Sequence, residues 1–211
     1  MFTLIDLTRR LTAGSLSYPG DRVGVDVRTV DVGDPDVQVT HLAHLDMHVG
    51  THMDAPLHFV PGASDIVGLG IPFRQAIVIR AHERSISARA LPPTELDGCA
   101  VLFDTGWTAD PESRAYFEGY SHISPELARA LVSRGVALVG IDTPSADPIA
   151  PALKCPSHRI LLGAGIPIVE GLCNMSTLPD APGIVWFGAF ALKLEGVDGS
   201  PVRAVAFVTA G

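Results

Sequence analysis

The chain has 211 residues, a formal charge of −8 and no basic run, which argues against a nucleic-acid backbone or an anionic membrane surface as partner. Apolar residues make up 47% of it and charged residues 18%, enough to build the core of one domain spanning 1–211. No apolar stretch approaches the roughly 20 residues that cross a bilayer. The opening MFTLIDLTRR has the wrong charge order for a secretory signal, because Asp6 interrupts its apolar stretch and the arginines follow it.

These features lead to the expectation of a cytoplasmic protein. Cys99, Cys155 and Cys173 form no C-x-x-C pair and read as free buried thiols.

Taken in chain order, the first patterned stretch is HLDMHVGTHMD, residues 44–54. With a period of two it reads as a strand that sets His44, Asp46, His48, Gly50, His52 and Asp54 on one face and Leu45, Met47, Val49, Thr51 and Met53 on the other. A helix is a poor alternative, because Val49 and Thr51 are β-branched, Gly50 weakens a helix interior and Pro56 cannot continue one. Short β-branched segments bounded by Gly, Pro or Asp follow at 75–81, 100–105, 136–142, 166–171 and 201–210, and each reads as a strand.

Between the second and third of these lies the clearest helix. Ser124 can cap it, Pro125 fits its first turn, Leu127, Leu131 and Val132 share a face, and Gly135 stops it. A second, short helix begins near His158. Helices are too few for a regular doubly wound sheet, so the fold class is α/β with a strand-rich mixed sheet.

The chemistry concentrates in HVGTHMDAPLHF, residues 48–59, which holds three of the chain's eight histidines. His48, His52 and Asp54 on one side of a strand offer two imidazole nitrogens and a carboxylate, a donor set suited to zinc, manganese or iron. His58 follows a proline-ordered turn, where it can approach the same centre and move protons. His41, His44, His82 and His122 read as surface or hydrogen-bonded histidines. Tyr18, Phe59, Phe103 and Trp107 are candidate aromatics for a substrate pocket.

The pattern H-x-G-T-H-x-D-x-P-x-H resembles the signature of the cyclase family of metal-dependent hydrolases, which includes bacterial kynurenine formamidases and isatin hydrolases. Further likenesses follow in order: SYPGD (17–21), FDTGW (103–107), GIDTPSADP (140–148), SHRILLGAGIPIVEGLCN (157–174) and LEGVDGSPVRAV (194–205). The resemblance implies a swivelling β/β/α domain, usually a homodimer, that holds one or two divalent ions, Zn or Mn, per subunit. It implies that His48, His52 and Asp54 bind metal, that Asp54 bridges to a second ion, and that His158 and Glu170 complete that side. His58 matches the family's proton-transferring histidine, and Tyr18 stands where kynurenine formamidases generally carry tryptophan.

The activity implied is cleavage of a small-molecule C–N bond, in an amide, aryl formamide or lactam, by a metal-activated water. Two other readings use the same residues: a metal-dependent cyclase or dehydratase, and a non-catalytic metal-binding protein. A structural zinc site is usually closed and cysteine-rich, unlike this mixture of histidine and carboxylate.

Overall fold

The computed structural model describes residues 2–149, 154–180 and 185–209. Its centre is a sheet whose strands run, in spatial order, Phe2–Asp6, Gly199–Thr209, Val185–Ala191, Phe73–Arg80, Ala100–Asp104, Leu138–Ile141, Ile168–Glu170 and His52–Asp54. The last of these also pairs with the start of Gly199–Thr209, with Gly199 opposite Asp54 and Pro201 opposite His52. Seven strands therefore close into a barrel, and Phe2–Asp6 lies outside the ring along Gly199–Thr209.

Four neighbouring strands, from Phe73–Arg80 to Ile168–Glu170, run parallel; the other pairings in this sheet are antiparallel. This is the strand-rich mixed sheet expected from the sequence. Two α-helices occur among the described residues.

The parallel strands are apolar on both faces because both faces are covered. In Ala100–Asp104, Ala100 and Leu102 point into the barrel with Met53, Val169 and Phe187, while Val101 and Phe103 point outward against the helices Pro125–Ser133 and Pro156–Gly163. Phe103 is thus a fully buried core residue. The first helix starts as its sequence dictates: Ser124 Oγ accepts a hydrogen bond from Leu127 N at 3.1 Å, a cap worth about 1 kcal/mol. Each expected strand is present with shifted ends, and Ala210, at the end of the last one, lies outside the described residues.

The stretch 44–54 departs from the expected continuous strand. A strand ends at Leu45 and another begins at His52, and a turn separates them. Asp46 Oδ1 accepts from His48 N at 2.9 Å, which folds the chain back locally, and Gly50 has a φ of 64° that no strand accommodates. Alternation survives only at 52–54, where Met53 enters the barrel and His52 and Asp54 face out. The preceding strand, Val39–Leu45, forms a hairpin with Val25–Val30 on which His41 and His44 are exposed. The cysteines are half-buried free thiols rather than buried ones.

The turn is clamped to the barrel at Gly171, which has a φ of 66° and whose missing Cβ leaves room for the Gly50 carbonyl oxygen. Gly171→Ala should therefore cost about 1–3 kcal/mol in denaturant unfolding, with the backbone around Gly50 and Glu170 displaced. Wild-type stability in that variant would show that the close approach imposes no constraint.

Candidate metal centre

Strand register assembles the centre. His52–Asp54 runs antiparallel to Ile168–Glu170 with His52 opposite Glu170, so both side chains stand on the same outer face. The second helix brings His158 over them, with Nε2 at 3.3 Å from Asp54 Oδ2 and 3.1 Å from Glu170 Oε1. His52 Nε2 lies 3.5 Å from Asp54 Oδ1 and 3.4 Å from Glu170 Oε2. From the turn, His48 places Nδ1 2.9 Å from Asp54 Oδ1. The structure thus brings together His48, His52, Asp54, His158 and Glu170, which the sequence separates by up to 122 positions (170 − 48).

Backbone and side-chain partners fix two of the imidazoles. His52 Nδ1 meets the Gly50 carbonyl oxygen at 3.1 Å, and a carbonyl only accepts, so Nδ1 carries the proton and Nε2 turns its lone pair toward the carboxylates. His158 Nδ1 lies 2.8 Å from Asp147 Oδ2. The same carboxylate accepts from Ser157 N and His158 N, so it anchors the first turn of the helix that carries the ligand-type residue. Asp147 was not singled out by the sequence; the only signal was its place in the ADP turn of the GIDTPSADP segment.

Asp54 and Glu170 are 1% and 3% exposed, and their ion-pair partners among the described residues are all histidines. Burial pushes both carboxyls up, yet neighbouring histidines outweigh it. His48 and His158 hold Asp54 well below the usual carboxylate range. Glu170 is also lowered, chiefly by His158, although the Asp54 charge opposes this. The imidazoles shift the opposite way. Against burial, the carboxylates of Asp54 and Asp198 push His48 up to about 10. Burial is likewise overcome at His158, which Glu170, Asp147 and Asp54 raise well above the ordinary histidine value.

Buried carboxylates without lysine or arginine need another positive charge, which protons on imidazole or a divalent cation can provide. The donor chemistry fits the cation: His52, Asp54 and Glu170 each offer a ligand atom within 4.8 Å of the others, and so do His48, Asp54 and His58. Asp54 belongs to both groups, as a bridging carboxylate would. Asp147, Cys155 and His158 form a third such group.

The centre opens on a cleft of about 340 Å³ lined in part by Tyr18, Phe59, Ser145 and Cys155. His58, at the end of the single 3₁₀ turn Pro56–His58, has its ring centroid 4.2 Å from that of His48 and its Nδ1 2.8 Å from Asp198 Oδ2. Phe59 packs 5.1 Å from the His158 ring. Trp107 is not among the lining residues; its indole N–H donates to the Tyr116 carbonyl at 3.1 Å and its ring meets Tyr120 edge-on. Away from the centre, His82 Nδ1 bonds the Thr105 carbonyl and His122 is half-buried.

The chain has known relatives over nearly its whole length. The profile of the putative cyclase family matches residues 5–148. The kynurenine formamidase of Salinibacter ruber is 33% identical over 96% of both chains, and that of Geobacillus thermodenitrificans is 32% identical over 95% of both. Isatin hydrolase A from Ralstonia solanacearum superposes with a TM-score of 0.81 at 25% identity, covering 99% of this chain and 92% of its own. The protein belongs to the putative cyclase family.

Proposed function

We propose that this protein hydrolyses a C–N bond in a small amide, aryl formamide or lactam, with His48, His52, Asp54, His158 and Glu170 holding one or two divalent cations, zinc or manganese. It is an enzyme, a metal-dependent amide hydrolase. The observation that carries the reading is a pair of buried carboxylates surrounded by imidazoles and open to a cleft lined by Tyr18 and Phe59. A cation held there supplies Lewis acidity, lowering the pKa of a water and polarising a carbonyl. His52 and His158 present oriented Nε2 atoms and Asp54 spans both halves of the centre.

His58 is the proton carrier, well placed at the cleft wall to protonate the departing nitrogen. Tyr18 and Phe59 suit a flat ring, and the named relatives make N-formylkynurenine and isatin the first substrates to try. The strands that build the sheet come from residues 2 to 209, which supports one domain over 1–211. Among the described residues no helix is long and apolar enough to cross a membrane. A charge of −8 with no basic run supports a site of action away from nucleic acid and anionic membrane surfaces, and the cytoplasm is the location proposed.

The expected assembly is a homodimer. The helices cover only the parallel side of the barrel; opposite them Phe2 and Leu4 are 65% and 59% exposed, beside Phe207, Trp186 and Phe73. The Phe73 and Trp186 rings stack at 5.5 Å. An uncovered apolar face of this kind usually meets a partner, and its one ion pair, Asp6 with Arg203, is self-compensated. Trp186→Arg should convert a dimer to a monomer in light scattering. A wild-type protein already monomeric at micromolar concentration would refute the assembly.

His58→Ala should lower kcat by about 10² to 10⁴ with full metal content, and His48→Ala should empty the site by elemental analysis. Loss of metal from His58→Ala, or full occupancy in His48→Ala, would reverse the assignments. Incorporation of oxygen from labelled water into product separates hydrolysis from ring closure.

Cation binding should also depend on pH with a defined sign. In the metal-free protein the charge on His48 stabilises the fold fully below pH 6.5, and that contribution is lost as pH rises through about 10. A cation must displace this proton and the one His158 holds, so its affinity should climb by at least about tenfold per pH unit across the window, with proton release seen by calorimetry in buffers of different ionisation enthalpy. A pH-independent affinity would contradict the ligand set.

A further inference from the structure

Proton transfer by His58 needs a ring that is held in one orientation and one tautomer, and the C-terminal side of the centre supplies the means. Asp198 Oδ2 lies 2.8 Å from His58 Nδ1 and 3.3 Å from His48 Nε2. We infer that Asp198 is a positioning residue for His58, fixing the tautomer in which Nδ1 carries the proton and Nε2 is left to exchange one with substrate. The inference rests on the proton-carrying role of His58 proposed above.

The position of Asp198 is dictated by the strands that build the centre. Gly199 pairs with Asp54, and the Asp198 carbonyl accepts from Ala55 N at 2.9 Å, so residue 198 is fixed relative to the bridging carboxylate. Three residues beyond Ala55, the 3₁₀ turn delivers His58 within reach of the side chain. Gly199 contributes by lacking a side chain: a Cβ there would lie 2.7 Å from His48 Cε1, so the His48 ring packs over the glycine while the His58 ring lies beside it.

His58 Nε2 makes no hydrogen bond to the described residues, whereas Nδ1 is engaged. Because an ionised carboxylate only accepts, Nδ1 must be the protonated nitrogen in the neutral ring.

Asp147 and His158 show the same arrangement at 2.8 Å, with one difference of consequence. The Asp147 side chain is 1% exposed and that of Asp198 42%. A carboxylate as open as Asp198 is not forced into a pair by burial, and it orients a ring that also reaches solvent, at 28% exposure.

Asp198→Asn preserves shape and removes the charge. Its kcat should fall about ten- to a hundredfold, with KM changed by less than about threefold and metal content unaltered. In a His58→Ala background the same substitution should cost nothing further, because a residue acting through His58 has nothing left to position. Imidazole ¹⁵N NMR should show His58 losing its predominantly Nδ1-protonated form in Asp198→Asn.

Loss of metal in Asp198→Asn, or a full additional loss of activity in the His58→Ala background, would overturn the inference. Full activity of His58→Ala would instead sink the reading of His58. In that event an unchanged ¹⁵N spectrum in Asp198→Asn would overturn the positioning as well, and a changed one would uphold it.

Discussion

The centre is governed by the cost of keeping Asp54 and Glu170 charged beneath the second helix, at 1% and 3% exposure. Removing an ion from water costs several kcal/mol unless well-oriented partners replace the lost hydration. Lysine or arginine would neutralise the carboxylates permanently and close the site. The chain surrounds them with histidine, whose charge can leave as a proton, so the positive charge at this spot is exchangeable. A cation bound there would compete with the imidazole protons for one place.

Exchange of that kind works only if the imidazoles stay in place when the charge changes, and the barrel provides this rigidity. The three residues His52–Asp54 are flanked on both edges by other strands, so the segment that closes the barrel also bears its polar groups. Behind them Met53 and Val169 are fully buried in the barrel interior, which ties the direction of each outward side chain to the packing inside. Arg9 fastens the adjoining loops by donating to the Gly171, Asp142 and Leu172 carbonyls, and Thr51 Oγ1 donates to Gly171 O at 2.7 Å. Side chains far apart in sequence therefore meet with little freedom to drift.

Some of this was legible in the residues and some was not. The strand at Ala100–Asp104 and the helix Pro125–Ser133 could be read because their signals are local: apolar continuity in one, Ser124, Pro125 and Gly135 in the other. Alternation correctly set His52 and Asp54 on one side, yet failed across 46–51, where the Asp46 side chain and the positive φ of Gly50 replace strand geometry. Periodicity cannot register a turn made by one side-chain hydrogen bond. Glu170 and His158 follow only from family likeness, since Glu170 meets Asp54 through pairing of strands 116 positions apart (170 − 54) and His158 through the packing of a helix over them. Asp147 and Asp198 escaped notice because a single aspartate beside a proline or glycine looks like an ordinary turn former.

Exposure then sorts the groups by the chemistry they can perform. His52, Asp54, His158 and Glu170 are all below 5% exposed, where a fixed charge interacts strongly. His48 reaches 19%, His58 28% and Asp198 42%. Charges at the buried end act by staying put, whereas a group that is to carry a proton from a water to a departing nitrogen, the role proposed for His58, must meet both. A fully buried histidine exchanges protons with solvent slowly; one at the rim, as His58 is, can do so directly. The gradient from Glu170 to Asp198 thus sets the groups proposed to hold charge apart from the one proposed to move it, and the 3₁₀ turn after Pro56 provides the separation by carrying His58 off the strand that holds His52 and Asp54.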